Sequence, residues 1–281
     1  MPHCASLDWL QPYQEGTKVS AAQGYAAYAA YYCVEGSADE EPCIEERVAL
    51  DVPRLRPYAS RTGTRSTLAR MKEMGWSLLV SAAGVVSTQG APSWALDNGA
   101  WSAFLQNTAF DEDAFSRALD KVGEGADWIV LPDIVAGGKA SLDLTLKWLD
   151  RLQGFPERLL IAVQDGIEPN DVRHLLNPMV GLFLGGSTEY KLATMDAWGQ
   201  LARRRNCYFH VGRVNSLRRI RACAQAGAHS FDGTSIIAFP DTIYRLTEGV
   251  QASQHQRGLF NPWERQLVAD VSHDCEWQIQ G

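Results

Sequence analysis

Leu159-Leu160-Ile161-Ala162-Val163-Gln164 and, one helical interval later, Gly181-Leu182-Phe183-Leu184-Gly185-Gly186 decide the fold. Each is a short, unbroken apolar run that ends in a polar residue or glycine. Such runs suit strands buried on both faces, as parallel strands are. The same form recurs upstream in Trp76-Ser77-Leu78-Leu79-Val80-Ser81, Trp94-Ala95-Leu96-Asp97 and Trp128-Ile129-Val130-Leu131-Pro132-Asp133. It recurs downstream in Cys207-Tyr208-Phe209-His210-Val211-Gly212 and Ala228-His229-Ser230-Phe231-Asp232. Arg47-Val48-Ala49-Leu50 is a weaker eighth candidate.

The intervals between these runs carry the helical period. Phe115, Leu119 and Val122 share one face, as do Leu142, Leu146 and Leu149. Leu217, Ile220 and Ala224 share another, behind a candidate N-cap at Asn215. Alternating strand and helix means a parallel sheet, and eight units favour a (β/α)8 barrel over an open doubly wound sheet. No G-x-G-x-x-G follows the first strand, which also disfavours a dinucleotide fold.

Composition agrees. The chain has 281 residues, 46% apolar and 21% charged, the balance of a globular protein rather than a disordered one. That length accommodates one barrel domain, expected over residues 46–281, with residues 1–45 as an N-terminal extension packing on it. The extension has an Ala/Tyr-rich helical stretch, Ala21 to Tyr32, and a loop by composition from Gly36 to Pro42. No apolar run reaches the length of a membrane span, and Met1-Pro2-His3-Cys4 does not open a secretory signal. A cytoplasmic location with no membrane partner is the expectation, in the host cytoplasm if the chain is phage-encoded.

The six cysteines are scattered without a C-x-x-C pair, so neither a disulfide framework nor a zinc cluster is expected. Net charge is −7, from 26 Lys and Arg against 33 Asp and Glu, yet the basic residues cluster. Arg54, Arg56, Arg61, Arg65, Arg70 and Lys72 lie in one acid-free stretch; Arg203, Arg204, Arg205, Arg213, Arg218, Arg219 and Arg221 lie in another. Such asymmetry can build a phosphate-attracting face on an acidic protein. Each cluster read alone fits a solvated helix face equally well.

In a (β/α)8 barrel the active site sits at the C-terminal strand ends. Those positions hold Asp97, Asp133, Gln164, Gly185-Gly186, Gly212-Arg213 and Asp232. A single strand-end aspartate is commonly a helix cap. Three at one rim cost free energy by mutual repulsion, which makes a bare capping role for all of them a poor explanation. Carboxylates here could bind a divalent metal, move protons or attack as nucleophiles. Gln164 and the glycine pair tip the balance toward a planar polar ligand, because a carboxamide both donates and accepts and glycine admits close approach. An aspartate can accept two parallel N–H bonds from an edge such as N1/N2 of guanine.

The ordered set resembles the tRNA-guanine transglycosylase superfamily, and within it the phage and bacterial branch that inserts 7-deazaguanines into DNA. The matching stretches are Leu96-Asp97-Asn98-Gly99-Ala100-Trp101, Ala126 to Asp133, Ala162-Val163-Gln164-Asp165-Gly166, Phe183-Leu184-Gly185-Gly186, His210-Val211-Gly212 and Phe231-Asp232, within residues 76–240. Each motif is weak alone; their order and spacing make the set specific. The resemblance implies that Asp232 attacks C1′ of a target guanosine and that Asp97 handles protons on the leaving and incoming bases. It implies that Asp133 and Gln164 grip the base edge, that the Gly185-Gly186 backbone contacts an exocyclic group, and that Trp101 walls the pocket. Trp101 fits plain core packing as well. Arg213, Arg218 and Arg219 are the candidate phosphate contacts, and no cofactor is implied.

A carboxylate beside C1′ can trap the sugar covalently, as in retaining glycosidases. The incoming 7-deazaguanine, of the preQ0 type, must then reach the intermediate before water does. The target nucleotide must leave its stack, which calls for flipping or single-stranded access and for a partner of the ATPase or helicase type. Two departures from the tRNA-acting pattern favour DNA as the polymer. Residues 233–281 hold only Cys275, His255 and His273 where those enzymes carry a zinc site, and Gly233-Thr234-Ser235 stands where they continue Pro-Thr-Arg. The alternatives are a zinc-less tRNA-guanine transglycosylase, a non-catalytic nucleic-acid-binding member of the superfamily, and, last, an unrelated barrel lyase or aldolase. That last reading finds no Schiff-base lysine at the strand ends.

Overall fold

The structure, a computed structural model, describes residues 54–60 and 64–259. Eight parallel strands close into one barrel in sequence order. They are β1 (Arg56–Ser60), β2 (Ser77–Ser81), β3 (Trp94–Asp97), β4 (Ile129–Val130), β5 (Leu159–Val163), β6 (Val180–Leu184), β7 (Phe209–Val211) and β8 (Ser230–Gly233). The barrel closes where Tyr58 on β1 pairs with Asp232 on β8.

The helices follow in the order α1 (Arg65–Glu73), α2 (Ala100–Leu105), α3 (Glu112–Val122), α4 (Gly138–Arg151), α5 (Pro169–Val172), α6 (Thr188–Arg204), α7 (Leu217–Gln225), α8 (Ser235–Ala238) and α9 (Thr242–Leu259). None is long and apolar enough to cross a membrane.

Two apolar layers result from the period-2 alternation of the strands. Outward-facing Leu96, Ile161, Leu182, Leu184, Phe209, Val211 and Phe231 pack under the helices. Inward-facing Tyr58, Leu79, Ala95, Trp128, Val130, Leu160 and Ala162 fill the barrel, with Phe183 and Tyr208 packed against them. One consequence fixes the site. Ala95 and Ala162 face inward, so Asp97 and Gln164, two positions on, face the same axis.

Several expectations shift. The first strand is Arg56–Ser60, within the stretch read as a basic cluster; Pro57 and the flanking charges hide its three buried residues. His255 falls on α9, whereas Arg47–Leu50, the whole 1–45 extension, His273 and Cys275 lie outside the described residues. The Trp128–Asp133 run yields only two residues of ladder, because Pro132 donates no N–H and the chain turns toward α4. On α4 the buried face is Ser141, Leu142, Thr145 and Trp148, whereas Leu146 is exposed. Thr145 is drawn inward by bonds to the Pro132 and Ser141 carbonyls.

Ser216, not Asn215, caps α7, accepting from the Arg219 N–H. Asn215 instead accepts from the Thr234 and Ser235 N–H groups, tying the β7 end to the β8 end. Of the first basic cluster, Arg56 pairs with Asp127 and Arg70 with Asp241, so these two are spoken for within the protein.

Candidate active site

Period-2 alternation puts Ser230 and Asp232 of β8 on the inner face, with Phe231 between them packed outward. Asp232 is 5% exposed. Its Oδ2 lies 3.0 Å from His210 Nε2, and its Oδ1 accepts from the Arg213 N–H at 3.1 Å. His210 is fully buried on the inner face of β7. Its Nδ1 lies 2.7 Å from the Ser230 hydroxyl. Burial pulls the imidazole below its usual pKa, more than the neighbouring Asp232 charge raises it, so the ring is neutral. With Asp232 as acceptor, the proton sits on Nε2 and Nδ1 accepts from Ser230.

Asp97 ends β3. Burial raises its carboxyl to a pKa of about 6; the Asp232 charge adds to the rise, while the Ser81 hydroxyl and the Gly99 N–H oppose it. Asp133 is likewise raised to about 6 by burial, with the Asp97 charge a smaller contribution and the Asn98 amide working against both. Asp97 thus lies within Coulomb reach of both Asp232 and Asp133 at one end of the barrel. Asp97, raised toward neutrality beside a carboxylate anchored by two donors, has the electrostatics of a group poised to gain or lose a proton.

Asp133 and Gln164 meet, but largely through the protein. Asp133 Oδ1 accepts from Asn98 Nδ2 at 2.7 Å, and Oδ2 accepts from Gln164 Nε2 at 3.3 Å. Asn98 Nδ2 also donates to the Leu131 carbonyl, and its Oδ1 accepts from the Ala100 N–H. Gln164 Nε2 donates to the Ile134 carbonyl and the Ser141 hydroxyl as well, and its Oε1 accepts from the Ala136 N–H. The Gln164 NH2 is therefore fully engaged by its own chain, its Oε1 accepts one bond, and the side chain orients the loop after β4 together with Asp133.

Gly185 and Gly186 follow β6. Gly186 has φ +79, and a methyl group there would collide with the Asp165 carboxylate. That carboxylate is committed to Ser187, accepting from its N–H and its hydroxyl at 2.7 Å each. A methyl group at Gly185 would meet nothing closer than 3.7 Å.

Trp101, on α2 after β3, is 39% exposed and stacks on Phe104, so it is a surface aromatic at the rim rather than core. The Arg213 guanidinium lies over its ring at 4.1 Å and donates to the Gly186 carbonyl at 2.6 Å. Arg213 has φ +56, a backbone conformation unusual for a side-chain-bearing residue. Arg219 lies 3.5 Å from the Thr188 hydroxyl, and Arg218 is exposed.

His210 and Lys191 carry no role in the sequence reading. Lys191, on α6, is 4% exposed and donates to the Gly212 carbonyl at 2.6 Å. Burial first, then the Arg213 charge, lower its pKa to about 8. It stands on the stripe Lys191, Met195, Trp198, Ala202, a lysine in line with buried apolar residues at helical spacing, which is a readable signal. His210 could be read from the inward alternation Tyr208/His210 beside Ser230/Asp232. Among the described residues, no group of three or more His, Cys, Asp and Glu side chains is arranged to hold a metal ion.

No protein family and no curated protein matches the chain in sequence. Solved structures of similar shape include dihydrodipicolinate synthase from Oceanobacillus iheyensis, at 12% identity and a TM-score of 0.46, over 73% of this chain and 76% of that one. Dihydropteroate synthase from Vibrio fischeri aligns at 12% identity and 0.45, over 75% and 96%. 3-Hexulose-6-phosphate synthase from Salmonella typhimurium aligns at 10% and 0.42, over 72% and 99%. Likenesses this remote say nothing of substrate. The closed parallel barrel itself stands on the chain's own strand pairing, and it is a fold typical of enzymes.

Proposed function

We propose that the chain is a transglycosylase that exchanges guanine in DNA for a 7-deazaguanine base. One observation carries the reading: a buried carboxylate, Asp232, held by His210 and the Arg213 N–H, acts electrostatically on a second carboxylate, Asp97, whose pKa stands near 6. Asp232 attacks C1′, guanine departs, and Asp97 manages the proton at the base. Double displacement with an oxocarbenium-like centre needs this pair, one group to bond the carbon and one poised to gain or lose a proton. Asp133, seated by Asn98 and Gln164, accepts from the base edge, and the backbone at Gly185 takes an exocyclic group. The ordered motifs that resemble the transglycosylase superfamily select base exchange from among the reactions such a pair could perform.

DNA is preferred over tRNA because the chain carries Gly233-Thr234-Ser235 and lacks a cysteine cluster after β8. Incubation of the purified chain with labelled guanine and either single-stranded DNA or tRNA tests both points. Label is expected in DNA, together with a denaturation-resistant protein–DNA adduct. Asp232→Ala is expected to lose both. Label entering only tRNA would reverse the polymer, and turnover by Asp232→Ala would refute the mechanism.

A further inference from the structure

The interior of a (β/α)8 barrel is ordinarily filled by layers of bulky branched apolar side chains. Here two adjacent strands break that rule. Ser230, His210 and Asp232 form a polar seam on the inner faces of β7 and β8, with His210 paired in register to Ser230. A buried imidazole is costly unless its hydrogen-bonding groups are used, and both nitrogens are, at 2.7 and 3.0 Å. Packing fixes the ring as firmly as the bonds do. Phe183 stacks on it at 5.0 Å and 19°, Trp128 lies 4.4 Å away, and Tyr58 meets it edge-on at 6.0 Å. The charged groups facing this seam are Asp232 itself and Lys191, whose ammonium is turned to the Gly212 carbonyl.

We infer that Ser230 and His210 are a positioning pair for Asp232: they present a neutral imidazole N–H that stabilises the free carboxylate against its glycosyl ester. The inference rests on Asp232 being the nucleophile. The Ser230 hydroxyl donates to Nδ1, which places the one ring proton on Nε2, aimed at Asp232 Oδ2. An N–H donor to an anion is worth more than the same donor to a neutral ester oxygen. In the second displacement the incoming base nitrogen bonds C1′ and gives its proton to Asp97, the C1′–Oδ bond breaks, and the electron pair returns to Asp232. His210 and the Arg213 N–H then hold the departing charge. The pair therefore speeds release from the covalent intermediate while it opposes its formation, and its loss leaves the ester standing.

Quenched time courses of adduct and of product, run on wild type, His210→Phe, His210→Gln and Ser230→Ala, test this. Phe keeps the ring's place between Trp128 and Phe183 without a donor; Gln restores an N–H. The ratio of adduct to product turnover is expected to rise roughly ten- to a hundredfold in His210→Phe, the worth of one hydrogen bond to a charged group, and to return toward wild type in His210→Gln. Nitrogen-15 NMR of histidine-labelled protein without substrate should show His210 as the Nε2–H tautomer, shifting toward a mixture in Ser230→Ala. An unchanged partition in folded His210→Phe, or an Nδ1–H tautomer in wild type, overturns the inference and leaves the transglycosylase reading intact. Absence of any adduct or exchange in wild type overturns that reading and the ester half of the inference with it; the tautomer still decides the hydrogen-bond half.

Discussion

The Arg213 guanidinium lies 4.1 Å from the centroid of the Trp101 ring, so a residue after β7 touches a residue after β3. In an eight-stranded barrel these are opposite staves. The same guanidinium bonds the Gly186 carbonyl after β6, and the Arg213 N–H holds Asp232 on β8. One side chain thus straps the mouth, and its backbone seats the carboxylate. The left-handed φ of Arg213 is what lets a single residue do both, since it turns the N–H toward β8 while the side chain crosses toward β3.

A double-mutant cycle on Trp101 and Arg213 measures the strap. Each alanine variant loses packing, but the pair should share a coupling of about 0.5–1 kcal/mol, the range of a partly exposed cation–π contact. Urea denaturation of the four proteins provides the numbers. Additive effects would show the contact to be incidental.

The strap also redistributes the arginines. Arg213, engaged on Trp101 and Gly186, is a poorer phosphate contact than the exposed Arg218. Arg218→Ala is expected to weaken polymer binding evenly across sequences and to reduce the slope of log K against log salt by about one. Arg213→Ala should leave that slope nearly unchanged while altering turnover. Titrations at several salt concentrations separate the two, and a slope that drops for Arg213→Ala instead would return it to the phosphate contacts.

Much of the barrel was legible because parallel strands buried on both faces leave unbroken apolar runs, as at Leu159–Val163. Strand β1 was not, because Arg56 and Pro57 interrupt the pattern although Pro57, Tyr58 and Ala59 are buried. Strand-end positions of Asp97, Gln164 and Asp232 follow from those runs by alternation alone. What alternation does not reveal is who bonds whom across the mouth. Gln164 reads as a ligand group from its position, yet its partners Ile134, Ala136 and Ser141 come from the following loop and helix. The Trp101–Arg213 contact joins residues far apart in the chain, and no local pattern encodes it.

The two glycines after β6 make a paired prediction. Gly186→Ala forces a methyl group at positive φ against the Asp165 carboxylate, so it should cost about 1–3 kcal/mol of stability, read by thermal or urea denaturation. Gly185→Ala has ordinary clearance and should fold like the parent. If a base does approach the backbone at Gly185, the same methyl group lowers base affinity at unchanged stability. Full affinity in Gly185→Ala would remove that position from the pocket.

Half-buried Asp97 and buried Asp133 give stability a pH dependence whose sign is fixed by their raised pKa values of about 6 against an ordinary 3.8. Below about pH 4 the native and unfolded chains both hold these protons, and the carboxyls cost nothing. Between 4 and 6 only the native chain holds them, so stability falls as pH rises and levels off above 6. Asp97→Asn removes the group that must ionise, and its amide oxygen can still accept from the Gly99 N–H. It should match the parent near pH 4 and exceed it by about 2 kcal/mol near pH 7.5, while losing base exchange. Asp133→Asn behaves differently. Its carboxylate oxygens face two amide donors, Asn98 Nδ2 and Gln164 Nε2, so an asparagine amide must turn its NH2 toward one of them. A donor set against a donor costs about 1–3 kcal/mol, which offsets the relief of an unwelcome charge. Asp133→Asn should therefore lie below Asp97→Asn in stability at every pH. Denaturation at pH 4.5, 6 and 7.5 checks the pair, and equal gains for both variants would mean that Asn98 and Gln164 do not hold Asp133 as described.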